Sequence, residues 1–284
     1  MSYGSPPPVL RIGGMAFGNG VLMRSKGFWA LARSDGSVLD GRVVSLLDRN
    51  RVWRLPLVRS LVALVEMIIF AVRLQRRSGR CPNLRLLAWL ALWVVASSWL
   101  GSLAYQVLGG GLLGEAVAQL TSLLLGLVCL QRGMGVELCR YHGAEHKAVN
   151  AYEHGGDLGD LSAVAAHSRI HDRCGTNLVA IIPVLFLASL PLGQALPGFA
   201  FSVLFSLLVV ALAFELFRLV TRRPQRAASR VVLCAGRTLQ RTLTTREPDP
   251  KQLKLACRAL QRVVTLDSRS RNETSLAAVL APRR

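Results

Sequence analysis

The sequence predicts a mainly α-helical, multi-pass membrane bundle of about four spans, with a small N-terminal β-hairpin region and a cytosolic His-rich loop. Three observations carry this. Of 284 residues, 51% are hydrophobic and only 18% charged, with a mean hydropathy of +0.37; soluble domains carry about 25% charge. Uncharged or nearly uncharged runs long enough to cross a bilayer recur along the chain. The formal net charge of +19 lies outside those runs. The high apolar content excludes a disordered chain, and 25 glycines and 12 prolines without a period exclude a collagen-like one.

The first 54 residues are extramembrane. Met1–Leu10 is proline-rich and lacks the basic and apolar regions of a cleavable signal peptide. Gly13, Gly14, Gly18 and Gly20 match no phosphate-binding pattern and read as backbone turns. Phe28–Arg33 and Ser37–Val44, joined by Ser34-Asp35-Gly36, read as a β-hairpin. Residues 55–85 form an amphipathic helix and a basic loop. Within Leu57–Arg73, the charges Arg59, Glu66 and Arg73 recur every seven residues and stack on one face. That stripe suits an interfacial helix; a short fifth span with its charges packed inside the bundle is the alternative.

Leu86–Leu108 is uncharged and, at 1.5 Å per residue, crosses a ~30 Å hydrocarbon layer. Gly109–Gly111 then precede a second span, Leu112–Gln131. After a loop at 132–176, the block Leu178–Val220 holds two further spans broken around Pro191–Pro197. In the tail, Asp249-Pro250 reads as helix cap and first helical residue, and Leu253, Cys257, Leu260 and Val264 make an apolar face. Ser268–Arg284 reads as a frayed basic end. The six cysteines (Cys81, Cys129, Cys139, Cys174, Cys234, Cys257) include no CxxC pair, which fits reduced thiols.

Charge sets the expected topology. Residues 1–54 and 55–85 carry net +5 each, the span regions 86–136 and 177–220 are neutral, 137–176 carries −2 and 221–284 carries +11. Four spans in two hairpins place every basic region and both termini in the cytosol. The tail contains no aromatic residue for base stacking, so anionic lipid headgroups, not nucleic acid, are its expected partner. A transporter is disfavoured, because the four spans lack ionisable groups at their centres.

The one net-negative region holds every histidine: His142, His146, His154, His167 and His171, within 30 residues. His142 and His146 are i,i+4 on a helix and can converge on one divalent metal ion, with Zn²⁺ the best fit. Glu145 stands where a general base would act, giving the order H-x-x-E-H. A bland reading also exists, in which the pair decorates a solvated helix. Glu153 lies 11 residues beyond His142, roughly 16 Å along the axis, too far for the same ion. The third ligand therefore comes from elsewhere, with His171 or Cys174 the best candidates and Asp172 and Glu66 weaker ones. His154 and His167 read as ordinary loop residues.

These residues resemble a known family, the bacterial YqhQ-type multi-pass membrane proteins, described as predicted metal-dependent enzymes. The resemblance rests on Arg140 through Lys147, Asn150-Ala151-Tyr152-Glu153, Ser168-Arg169-Ile170-His171 with Arg173-Cys174-Gly175-Thr176, Arg59 through Glu66, and Leu243 through Asp249. It implies a bacterial cytoplasmic-membrane location, and it adds weight to His142, Glu145, His146, Glu153, His171 and Cys174. Members read Gly-Gly-Gln-Ala and a later Glu-Gly-Val; here Met15 replaces Gln and Asn19 replaces Glu. If those positions feed the site, this chain is an altered or inactive member.

Two functional classes follow. One is a membrane metalloenzyme of hydrolytic type: His142 and His146 as ligands, Glu145 as base, Asn150, Glu153 and Glu66 behind them, and a membrane-linked substrate. The other is a non-catalytic scaffold whose loop is a structural metal knot or a hydrogen-bonded polar core.

Overall fold

The computed structural model describes residues 10–78, 84–195 and 199–280. The chain divides into two compact units, one built from residues 1–44, 136–171 and 245–284 and the other from 45–135 and 172–244. Cys81, Pro197, the first nine residues and the last four, all named above, lie outside the described residues. Among the described residues no cysteine forms a disulfide.

The first unit opens with a four-stranded antiparallel meander: β1 (Gly13–Phe17), β2 (Gly20–Arg24), β3 (Phe28–Arg33) and β4 (Val38–Arg42), in the order β1-β2-β3-β4. The expected hairpin is its β3–β4 half, turning at Asp35-Gly36 with Gly36 at φ 87°. The glycine-dense approach departs from expectation: Gly13, Gly14 and Gly20 lie inside strands, and only Gly18 sits in a turn. At Gly14 and Gly20 the missing side chain allows close packing, against Glu145 and the Ala32 carbonyl.

The inner face of the sheet, including Val21, Met23, Ala30 and Ala32, is completely buried. It packs into one core with Tyr141, Ala144, Ala148 and Ala151 of α3 (Gly111–Glu153), Val164 of α4 (Leu161–Ala166), and Leu253, Cys257 and Leu260 of α8 (Pro250–Leu280). α8 starts as expected. Asp249 Oδ1 accepts from the Gln252 N–H (2.8 Å), and Gln252 Oε1 accepts from the Asp249 N–H (3.0 Å), a reciprocal cap. It does not fray at Ser268 but continues to Leu280, helped by the i,i+4 pair of Asp267 and Arg271 (2.7 Å).

The second unit holds α1 (Val58–Ser78), α2 (Leu84–Val107), the first part of α3, α5 (Thr176–Ala195), α6 (Phe199–Arg222) and α7 (Ala227–Leu239). Among the described residues three helices are long and apolar enough to cross a membrane: Leu87–Val107 of α2, α3, and Phe201–Arg222 of α6. Thr176–Leu192 of α5 is a shorter apolar helix. The chain is therefore a mainly helical membrane protein. Gly109, Gly110 and Gly111, all at positive φ, make the tight α2–α3 connection. On α1, Arg59 and Ser60 donate to Glu215 of α6, both within 2.7 Å of Oε1. Glu66 accepts from Ser45 Oγ (2.9 Å) and from the Leu46 N–H. Two charges of the stripe thus face protein, while Val65, Ile68, Ile69 and Val72 are exposed; α1 is not among the three span-length helices.

The largest departure concerns the expected loop at 132–176. The α3 helix does not stop at Gln131; it runs to Glu153, broken only at Gly135 (φ 68°, ψ 172°). No proline lies between the apolar run and the histidines, so the helix resumes after one glycine. That backbone conformation belongs to glycine, and a side chain there costs about 1–3 kcal/mol. Gly135→Ala is expected to lower the thermal midpoint in detergent, followed by circular dichroism; an unchanged midpoint would show that the break is not fixed.

Candidate metal centre

The resumed helix, Val136–Glu153, carries the site. Its alanine face lies in the core, and Gly143 lies against the Arg246 carbonyl, leaving no room for a Cβ. The Arg246 N–H donates to the Cys139 carbonyl (2.9 Å). Segment 244–249, one of the stretches that carry the resemblance, is thereby fastened along the helix.

Three side chains of the helix catch carbonyls of the last turn of α4 and of the segment after it. His146 Nδ1 lies 2.7 Å from the Arg169 carbonyl, Lys147 Nζ donates to Ala165 (2.6 Å), and Asn150 Nδ2 donates to Ser168 (2.7 Å) and Ile170 (3.0 Å). A carbonyl only accepts, so His146 Nδ1 carries the proton, and Nε2 keeps the lone pair a metal needs. His146 is 2% exposed. Burial, reinforced by the neighbouring His142, holds its pKa well below the usual imidazole range and keeps the ring neutral.

The caught segment delivers His171. The His142 and His146 rings are 4.4 Å apart and the His146 and His171 rings 5.8 Å, centroid to centroid. Three residues after His171 comes Cys174. One ring nitrogen from His142, one from His146 and Cys174 Sγ lie within 4.8 Å of one another, a group that could hold a metal ion. Burial pushes the Cys174 thiol pKa up, against smaller opposing hydrogen bonds from Thr176; a bound cation would reverse that balance. Glu153 Oε2 lies 3.3 Å from His171 Nε2, so it reaches the site through a histidine, as its distance along the helix requires. His154 and His167 pair with each other, 5.7 Å between ring centroids.

Glu145 is 7% exposed and lies under β1. A Cβ added at Gly14 would sit 2.5 Å from its Cδ and 2.6 Å from its Cγ. Residues alternate faces along a strand, so Met15 points away from Glu145. Asn19 is in the β1–β2 turn, where its carbonyl accepts from the Ser34 N–H (2.8 Å). Met15 therefore does not face Glu145, and Asn19 sits in the turn rather than on the strand.

The structure does not bring every candidate together. Glu66 is occupied by Ser45 and Leu46. Asp172 forms a two-bond pair with Arg237 (2.7 Å each). Conversely, sequence reasoning missed Gly14, Lys147, Arg169 and Glu247. Glu247 joins Lys147 Nζ (3.0 Å) and Arg169 Nε (3.3 Å), while Arg169 Nη1 donates to the Thr245 carbonyl (2.8 Å) and Oγ1 (2.6 Å). The available signal was the resemblance at Leu243–Asp249, with no role attached.

Fold and site together define a class: a multi-helix membrane protein with an α/β unit that carries a cluster of histidines. More particularly, the chain belongs to the family described as protein of unknown function DUF1385, whose sequence profile matches residues 83–266. It is similar to YqhQ of Bacillus subtilis strain 168, described as an uncharacterized protein, with 29% identity over 134 residues. The match covers 46% of this chain and 42% of that relative, less than half the relative's length. No solved structure matches the chain.

Unfolded, His146 takes a proton near its ordinary value of 6.5; folded, it does so only at much lower pH. Below pH 6.5 the unfolded chain therefore binds a proton that the folded chain refuses, and stability, complete above that pH, is lost as the pH falls. In metal-free protein, the urea midpoint is expected to drop between pH 7 and pH 5, and to drop less in His146→Gln. Equal slopes in both would assign the loss to another group.

Proposed function

We propose that the chain is an integral membrane enzyme of hydrolytic type that works with one Zn²⁺ ion. The observation that carries this is the group of His142, His146 and Cys174, with Glu145 adjacent in sequence to His146. Two imidazoles and a thiolate are a nitrogen–sulfur donor set suited to zinc. The His146 tautomer presents Nε2, and the three donors lie within 4.8 Å of one another, against separations of ~3.5 Å in a tetrahedral zinc site. When bound, zinc supplies Lewis acidity, lowering the pKa of water toward 7 and polarising a carbonyl or phosphoryl oxygen.

The chain's own residues do the rest. Glu145, screened from solvent, offers Oε1 or Oε2 to take a proton from water and pass it to the leaving group. Glu153 orients His171 beside the centre. A set of three protein ligands is the arrangement of catalytic rather than structural zinc. The scaffold alternative adds His171 as a fourth ligand, through Nδ1 because its Nε2 is engaged with Glu153.

The basic residues orient the protein in this reading. Arg222, Arg223, Arg226 and Arg230 are exposed at and beyond the end of α6, suited to anionic headgroups on the cytosolic side, with a membrane-linked substrate in reach.

Metal analysis of protein purified in detergent tests the reading. We expect about one zinc per chain in the wild type and under ~10% of that in the His142→Ala/His146→Ala double variant, in line with loss of two of three ligands. Absence of stoichiometric metal from both would sink it.

A further inference from the structure

We propose that strand β1 is a docking strand for an extended polypeptide, so that the substrate of the centre is a segment of protein chain. This rests on the hydrolase reading above and names its substrate class.

β1 is an edge strand; among the described residues its backbone pairs only with β2. The two-residue turn at Gly18-Asn19 makes Phe17–Gly20 a hydrogen-bonded pair, and with it Met15–Leu22 and Gly13–Arg24. The N–H and C=O groups of Gly14 and Ala16 therefore point outward. Proteins usually blunt an edge with charge, proline or a bulge. β1 (Gly13-Met15-Phe17 on one face, Gly14-Ala16 on the other) has none of these, and Gly13 and Gly14 are exposed. At the opposite edge, β4 carries Asp40, paired with Arg262 of α8 (3.1 Å).

The open edge lies beside the centre. Around the α3 helix, at about 100° per residue, the buried Ala144, Ala148 and Ala151 face the core, Glu145 follows on the order of 60° further round, and His142 and His146 follow it in the same sense. Glu145 is the residue against Gly14 of β1. A strand added to the free edge of β1 thus continues the sheet toward the side on which the two histidines project. One glycine separates it from the Glu145 carboxyl.

The edge also selects the ligand's chemistry. Alternating donors and acceptors repeating every two residues, about 6.8 Å, match an extended peptide backbone and nothing in a lipid chain. In the hydrolysis, the water oxygen bonds to the scissile carbonyl carbon, the C–N bond breaks, and the proton that Glu145 takes from water goes to the leaving nitrogen. The products are a carboxylic acid and an amine, and no other reactant is consumed.

Site-resolved hydrogen exchange on the full-length Glu145→Gln protein in detergent tests binding apart from cleavage, with zinc content measured in parallel. The probe is a random-sequence decapeptide mixture at millimolar total concentration. We expect the Gly14 and Ala16 amides to exchange ~10-fold or more slowly with the peptides present, in proportion to edge hydrogen bonds formed. Backbone N-methylated decapeptides should not slow them. Ala16→Pro, which removes an outward donor and leaves the β2 ladder intact, should weaken protection at Gly14. Unchanged exchange with either peptide set overturns the proposal even if zinc is bound, whereas absent zinc overturns the hydrolase reading instead. Slow exchange before peptide is added would overturn it too: with self-association by light scattering it means that a second copy covers the edge, and without self-association that another part of the chain does.

Discussion

Everything at the centre depends on four backbone carbonyls being caught by one helix. Residues 165–170 run from the last turn of α4 into an irregular stretch, and a carbonyl screened from water and left without a donor costs on the order of 1–3 kcal/mol. His146, Lys147 and Asn150 supply the donors for Ala165, Ser168, Arg169 and Ile170. The same bonds set the His146 tautomer and bring His171 to within 5.8 Å of the His146 ring. Glu247 then joins Lys147 of the helix and Arg169 of the caught segment, tying residues 244–249 to both.

Seen this way, the acidity of residues 137–176 is mostly architecture. Glu137 takes Gln252 at the start of α8, Asp157 and Asp160 cap backbone N–H groups, Glu153 takes His171, and Asp172 takes Arg237. These five acids have structural partners of this kind. Glu145 differs in its setting, buried beneath Gly14 and one residue from His146 in the helix.

The parts of the fold that were legible in the sequence are those fixed by local pattern: the span-length apolar runs, the Asp-Gly turn, the Asp249-Pro250 helix start and the i,i+4 spacing of His142 and His146. Cys174 and His171 were legible as ligand types but not as positions. What was hidden depends on backbone or on distant partners. Gly14 carries no side chain to reveal that it faces Glu145, and any segment has carbonyls, so nothing in 165–170 announces that Lys147 and Asn150 will bind them. Gly133 and Gly135 stand where the apolar run ends, yet Gly135 only kinks the helix, which resumes because no proline follows it. The polar stripe of α1 looked solvent-facing because its partners, Glu215 and Ser45, are 156 and 21 residues from Arg59 and Glu66.

The central claim is that two imidazoles and one thiolate of this chain share an ion. Zinc K-edge X-ray absorption on the zinc-loaded protein tests it most directly. The account predicts two nitrogen scatterers at about 2.0–2.1 Å and one sulfur at about 2.3 Å, with the sulfur shell lost in Cys174→Ser. A shell of oxygen scatterers alone, unchanged by that substitution, would contradict it.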